Sequence, residues 1–167
     1  MGCGTGRNLV AAARRYPLSR FYGSDISAEM LKSAEASVGR ADLSQRISLS
    51  RGDATRFDPR FAFHRNRFDR IYLSYTLSMI PGWQQAAAHA MDLLAPGGEL
   101  HIVDFGQCER LPRFFRAALF RWLAQFSVTP CVDLAEILHR EAGARDHDFF
   151  FTPLYRGDAW HTVVKSA

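Results

Sequence analysis

Gly2-Cys3-Gly4-Thr5-Gly6 stands directly before a helix-period segment, and Phe21-Tyr22-Gly23-Ser24-Asp25-Ile26-Ser27 follows one βα unit later. Glycines at that spacing permit positive φ and let a ligand come close to the backbone at the positively polarised start of a helix. On spacing alone, a tight turn with no ligand explains them as well. Asp25 shifts the balance. It ends the next expected strand about twenty residues on, where a carboxylate can accept hydrogen bonds from both hydroxyls of a ribose. Asp53 follows Gly52 at the end of a third strand, and the carboxyl ends of strands line the ligand crevice of an open α/β sheet. The alternative for Asp53 is a turn or N-cap carboxylate.

Working outward, short apolar runs alternate with helix-period stretches, which is the pattern of a parallel sheet with crossover helices. Helices are expected over 5–16, closed by Pro17, and from Ser27 toward Gly39. Strands are expected over 21–25, 47–50 and 68–75, the last uncharged at its end and read as buried on both faces. A helix over 83–94 and an Ala95-Pro96-Gly97-Gly98 turn precede a strand over 99–105. Helices follow over 112–126 and 133–141. Segments 149–154 and 159–164, flanking Arg156-Gly157-Asp158, predict an antiparallel hairpin. A glycine-rich βα turn needs a strand before it, and here the chain starts at Met1-Gly2. The expectation is therefore one domain over 1–167, an α/β three-layer sandwich lacking its first strand at the N-terminus.

Composition sets limits on function. The 167 residues carry 21 Lys+Arg against 17 Asp+Glu, a net charge of +4, with 47% hydrophobic residues. That apolar content supports a packed core and excludes a disordered chain. Cys3, Cys108 and Cys131 form no CxxC pair, so neither a disulfide framework nor a metal site is expected. The uncharged run between Arg70 and Asp92 is broken by Pro81, Gly82, Gln84, Gln85 and His89, which argues against a membrane span. With no export signal at the N-terminus, a cytoplasmic protein is expected. The modest positive balance permits contact with an anionic membrane, and no nucleic-acid partner is expected.

The ordered set GCGTG (2–6), YGSDIS (22–27), RGDAT (51–55), FDRIYLSYTLSMI (68–80) and LLAPGGELHIVDFG (93–106) resembles the class I S-adenosylmethionine-dependent methyltransferases. A nicotinamide-binding fingerprint would want a third glycine where this chain has Arg7. The resemblance implies a Rossmann-like sheet whose last strand is antiparallel, with S-adenosyl-L-methionine as cofactor. It implies that Gly2, Cys3, Gly4 and Gly6 face the methionine part, Asp25 and Ile26 the ribose side, and Asp53 with Ala54 the adenine. Ser74 and Tyr75 would then lie beside the sulfonium. A narrower resemblance is carried by LSYTLSMIPGW (73–83), VDFGQCERLPRFFRAALFRWLAQFSVTP (103–130) and PLYRGDAWHTVV (153–164). These stretches are similar to the N-methyltransferase that turns diacylglyceryl-homoserine into its trimethyl betaine lipid. A soluble small molecule, a quinone, or a non-catalytic remnant or partner subunit are the other readings, because cofactor motifs do not report the acceptor.

Methyl transfer from a sulfonium is an in-line displacement, so alignment matters more than a strong nucleophile and can supply roughly 7–11 kcal/mol. An amine must arrive neutral, which makes a nearby base useful. Asp104, His101 and His161 are the candidates, with Asp104 favoured because it ends a strand. Tyr75, Trp83, Tyr155 and Trp160 could offer ring faces to a quaternary ammonium, and Ser78 with Met79 could wall the acceptor pocket. Arg113, Arg116 and Arg121 fall in one sector of an amphipathic helix whose remaining face is apolar. That helix either lies on anionic lipid or packs in the core with a solvated basic edge.

Overall fold

The computed structural model describes residues 1–106, 114, 133–155 and 158–167. Its contacts group into two compact units, Met1–Asn66 and Arg67–Ala167. The first unit runs α1 (Arg7–Arg15), β1 (Phe21–Asp25), α2 (Ala28–Arg40), β2 (Ile47–Arg51) and α3 (Pro59–Phe63). Strands β1 and β2 pair in parallel from Phe21 against Ile47 to Asp25 against Arg51. Their carboxyl ends therefore lie side by side, and Gly52 N donates to the Asp25 carbonyl at 3.0 Å. Helix α1 buries Leu9 and Ala13 while α2 buries Leu31, Ala34 and Val38, spacings of three and four that give each helix one inward stripe.

Local chemistry sets the boundaries. Ser27 caps α2 by accepting the Met30 N–H at 3.3 Å, as expected. Helix α1 begins two residues later than the spacing suggests, because Gly6 is left-handed (φ 76, ψ 3) and belongs to the turn. The far end of α1 is closed by Arg46, whose guanidinium reaches the carbonyls of Ala13 (2.5 Å), Tyr16 (3.1 Å) and Pro17 (2.7 Å). Helix α3 was not expected. Asp58 caps it by accepting the Arg60 N–H at 2.9 Å, and Pro59 starts it.

The second unit runs β3 (Phe68–Ser74), a 3-10 turn (Leu77–Met79), α4 (Trp83–Asp92), β4 (Leu94–Phe105), α5 (Leu134–Gly143), β5 (Asp148–Leu154) and β6 (Ala159–Lys165). Its sheet has the order β3-β4-β6-β5. β3 and β4 are parallel, whereas β6 is antiparallel to both β4 and β5, so the expected C-terminal hairpin is present. Leu73, Leu100, Ile102 and Val164 from the sheet, Met91 from α4, and Leu134 with Leu138 from α5 are buried. α4 packs on β4 and α5, and α5 packs on β5. Each such side chain contributes about 1.5–3 kcal/mol by leaving water.

Two expectations are corrected here. β4 starts at Leu94 rather than Glu99, because the register jumps from Phe68 opposite Leu94 to Arg70 opposite Glu99. The Ala95–Gly98 segment is thus a bulge inside the strand, and α4 stops at Asp92 to make room. β3 is not buried on both faces. Ile71 and Leu73 are covered, while Tyr72 and Ser74 on the other face are only half-buried. The helix expected over 112–126 lies, apart from Phe114, outside the described residues, and Arg113, Arg116 and Arg121 lie outside them too. No helix among the described residues is long and apolar enough to cross a membrane.

Candidate functional site

The first unit holds most of the expected cofactor residues. Gly2, Gly4 and Gly6 all have positive φ, at 66°, 52° and 76°. A Cβ at Gly6 would come within 3.1 Å of the Ala34 Cβ, so only glycine lets the loop lie this close to α2. A Cβ at Gly4 would meet nothing within 4 Å, so this glycine faces open space. The loop is tied to β1 at two points: Cys3 N donates to the Ser24 carbonyl at 2.9 Å, and Gly4 N donates to Asp25 Oδ2 at 2.8 Å. Asp25 Oδ1 accepts the Ser27 N–H at 3.0 Å. One carboxylate therefore fixes both the glycine loop and the start of α2, and each oxygen keeps lone-pair capacity for a further donor.

The neighbours of Asp25 differ in character. Ile26 is 63% exposed, an apolar surface directly beside the carboxylate, and its carbonyl accepts from Arg51 Nε at 3.1 Å. The Cys3 thiol is pushed above its ordinary value, first by burial and then by the Asp25 charge, so it stays protonated and is no nucleophile at neutral pH. Asp53 builds the β2 turn. Its Oδ1 accepts from Thr55 N at 3.0 Å and Thr55 Oγ1 at 2.8 Å, and Arg56 Nε lies 3.4 Å from Oδ2. The Thr55 N–H, and then its hydroxyl, hold the Asp53 carboxyl below the usual range. The turn reading weighed for Asp53 is thus what its side chain does, and Ala54 rides in that turn.

In the second unit, Ser74 ends β3 and Tyr75 follows in the left-handed region at φ 52. Tyr75 N donates to the Val103 carbonyl at 2.7 Å, and its ring rests on Phe105 with centroids 4.9 Å apart, 39% of the residue remaining exposed. Forcing a tyrosine into this conformation costs roughly 1–2 kcal/mol, a strain that other contacts must hold. The result is an aromatic pair at the carboxyl ends of β3 and β4.

The two favoured bases lie on opposite faces of one strand. Asp104 is 1% exposed, on the covered face of β4 with Leu100 and Ile102. Its Oδ2 accepts the Ser78 N–H at 3.1 Å and its Oδ1 accepts the Phe105 N–H at 2.8 Å, so it pins the 3-10 turn after β3. His101, three positions earlier, points to the half-open face, since side chains alternate along a strand. There its Nε2 meets Glu99 Oε2 at 3.2 Å and its Nδ1 meets His161 Nε2 at 3.2 Å, the rings stacked 5.5 Å apart. His161 is held below its ordinary pKa, by burial first and by His101 second. Trp160 is buried against Phe151, centroids 5.9 Å apart, and therefore serves the core.

Sequence reading missed the partners that are far apart along the chain. Ser78 with Asp104, and Arg46 with the end of α1, carry no local signal. The buried Ser78 hydroxyl has no hydrogen-bond partner among the described residues.

The donor set of the first unit fits S-adenosylmethionine. It offers a glycine cradle that a Cβ at position 4 would fill, a carboxylate with spare lone pairs for a diol, and an exposed aliphatic surface for a flat base. Gly2, Cys3, Gly4, Gly6, Asp25 and Ile26 would hold the group, with Asp53 and Ala54 at the next strand end. When bound, the cofactor supplies a methyl group on a sulfonium.

Comparison with known proteins agrees with this fit. A family described as "Methyltransferase domain" matches residues 1–98. Trans-aconitate 2-methyltransferase of Streptomyces avermitilis is 34% identical over 100 residues, covering 60% of this chain and 35% of that protein. Demethylmenaquinone methyltransferase of Lactiplantibacillus plantarum is 31% identical over 106 residues, covering 63% and 43%. Trans-aconitate 2-methyltransferase of Paracidovorax citrulli is 29% identical across 99% of this chain and 60% of its own length. The chain thus spans between about a third and three fifths of these relatives. Among solved structures, an O-methyltransferase family protein from Burkholderia thailandensis superposes with a TM-score of 0.75 at 17% identity, over 99% of this chain and 49% of that one. The [4+2]-cyclase SpnF does so with 0.72 at 18%, over 98% and 72%. The fold is therefore the Rossmann-like methyltransferase fold, and the chain belongs to the class I S-adenosylmethionine-dependent methyltransferase family.

Proposed function

We propose that this chain transfers methyl groups from S-adenosylmethionine to the amine of a diacylglyceryl-homoserine lipid, giving the trimethyl betaine head group. The observation that carries the methyl-transfer part is the joint use of Asp25 by Gly4 N and Ser27 N beside an open glycine face. The acceptor part rests on the stretches 73–83, 103–130 and 153–164, and it is supported by the Tyr75–Phe105 pair at the strand ends. Ring faces there would attract an ammonium by about 0.5–2 kcal/mol each, which suits a product that gains permanent positive charge. The Tyr75 N–H bond to the Val103 carbonyl and the ring contact with Phe105 hold the strained residue in place. Proton removal from the incoming amine falls to one β4 face or the other, to Asp104 or to His101. The basic sequence sector of Arg113, Arg116 and Arg121 would bring the protein to the anionic surface where such a lipid resides, each residue contributing about 1 kcal/mol.

A second reading has its own support. The relatives carry the names of trans-aconitate and demethylmenaquinone enzymes. A soluble acid or a quinone is accordingly the rival acceptor, and the SpnF superposition illustrates that this fold hosts other chemistry. One experiment separates the readings. The chain is expressed in a host that makes diacylglyceryl-homoserine, and its lipids are examined by mass spectrometry beside an Asp25→Ala variant. Mono-, di- and trimethylated homoserine lipid present with the parent and lost with the variant is the expected result. Unmethylated lipid, with methyl transfer to trans-aconitate or demethylmenaquinone in extracts, moves the assignment to the second reading.

A further inference from the structure

Helices α1 and α2 carry a feature that methyl transfer does not use. Arg7, Val10, Ala11 and Arg14 recur at helical spacing on one side of α1, and Ser37, Arg40 and Ala41 stand opposite at the end of α2. Together they line an open groove of about 310 Å³. Its walls are small or aliphatic, its polar groups are three guanidiniums and a hydroxyl, and no carboxylate lines it. Arg40 Nη2 donates to Ser37 Oγ at 3.4 Å, a second groove residue. The ion pairs within this unit lie elsewhere: Glu29 with Lys32, Asp53 with Arg56, and Asp58 with Arg60. Three like charges around one concavity repel each other, and a bound polyanion removes that repulsion. Planar guanidinium forks match phosphate oxygens in geometry as well as in charge.

We propose that the α1–α2 groove binds a phosphate-bearing group of at least two negative charges through Arg7, Arg14 and Arg40. The group is either a soluble phosphate ester or the head of an anionic lipid, and the proposal stands apart from the identity of the methyl acceptor. Two probes distinguish the sources: inorganic pyrophosphate, titrated calorimetrically at low ionic strength, and phosphatidylcholine vesicles with and without cardiolipin, whose head bears two phosphates, followed by flotation. Both are applied to the whole chain, to a variant with Arg7→Gln, Arg14→Gln and Arg40→Gln, and to a charge-matched control with Arg20→Gln, Lys32→Gln and Arg140→Gln. Arg14→Gln alone is the milder form. The groove variant is expected to lose roughly tenfold or more in affinity for whichever probe binds, and the control about twofold or less. S-adenosylmethionine affinity unchanged in both shows that each variant is folded. Groove-dependent pyrophosphate binding without vesicle recruitment assigns a soluble ligand, and the converse assigns a lipid head. Equal loss in groove variant and control overturns the proposal, as does the absence of saturable binding to either probe.

Discussion

Gly4 and Gly6 sit two residues apart, both left-handed, yet alanine at each should fail differently. At Gly4 the new Cβ meets nothing within 4 Å, so the stability cost is the backbone conformation alone, roughly 1–2 kcal/mol. At Gly6 the same conformational cost is joined by contacts of 3.1 Å to Ala34 Cβ and 3.2 Å to Ala34 Cα, in the buried stripe of α2 where the helix cannot yield locally. Overpacking of that kind adds about 1–3 kcal/mol, so Gly6→Ala should cost about 2–5 kcal/mol in all. Ala34→Gly removes the closer of the two contacts and itself costs about 1 kcal/mol as a helix-interior glycine. The Gly6→Ala, Ala34→Gly double variant should therefore be more stable than the sum of its parts by about 0.5–1.5 kcal/mol. Cofactor affinity should follow the opposite order. The Gly4 Cβ enters the face proposed to cradle the methionine part, so Gly4→Ala should lose roughly tenfold or more in binding despite its smaller stability loss. Urea unfolding followed by far-UV circular dichroism, with calorimetric titration of S-adenosylmethionine, reads both quantities. Strictly additive stabilities would mean that the loop does not lie against Ala34, and unchanged affinity in Gly4→Ala would remove position 4 from the cradle.

Three further outcomes follow from the contacts. Arg46→Ala should lower stability by about 1–2 kcal/mol by stripping the carbonyls at the end of α1 of their shared donor, and Arg46→Lys should restore only part, since an ammonium cannot span the fork; urea midpoints decide it. Asp104→Ala leaves the Ser78 and Phe105 N–H groups without their acceptor and should cost about 2–4 kcal/mol, whereas Asp104→Asn keeps one acceptor oxygen and should cost about half as much; a smaller loss for alanine than for asparagine contradicts the pinning role. His161 titrates below its ordinary 6.5 in the folded state, so just below that value the unfolded chain binds more protons. The His161 contribution is therefore intact above about pH 6.5 and is lost as pH falls below it. His161→Gln should flatten the dependence of thermal midpoint on pH between about 7 and 5.5, and an unaltered slope sinks the assignment.

The parts of this structure that the sequence made legible are those written within one turn or one strand. Ser27 announced α2, Pro17 closed α1, and Arg156-Gly157-Asp158 between two apolar runs announced the antiparallel pair, because each rests on chemistry within about four residues. The bulge at Ala95–Gly98 was read as a turn for the same reason: Pro and Gly announce a departure from the ladder, but only the pairing of Phe68 with Leu94 shows that the strand had already begun. Arg46 looked like one more surface charge because its carbonyl partners lie about thirty residues earlier, and Ser78 gave no sign of Asp104, 26 residues on.

Asp104 and His101 differ in kind from these, because the information that separates them was present in the sequence as parity. Three is an odd number of positions, so on a single strand the two side chains leave by opposite faces, and the amine proposed as acceptor cannot be served by both. Burial then assigns each face. Asp104 has both oxygens engaged by backbone N–H groups and is closed to solvent, while His101 is half-open and linked to Glu99 and His161. A proton taken by His101 has a route outward through that half-open face, with Glu99 Oε2 to stabilise the imidazolium. A proton taken by Asp104 would weaken its bonds to the Ser78 and Phe105 N–H groups and would have no open route to solvent, because the residue is buried. The choice of base is thereby a choice between the covered and the half-open face of β4, and it is measurable: His101→Asn should depress methyl transfer mainly below the pKa of the proposed acceptor amine and leave stability nearly intact, whereas a loss with Asp104→Asn alone, at every pH, would assign the covered carboxylate.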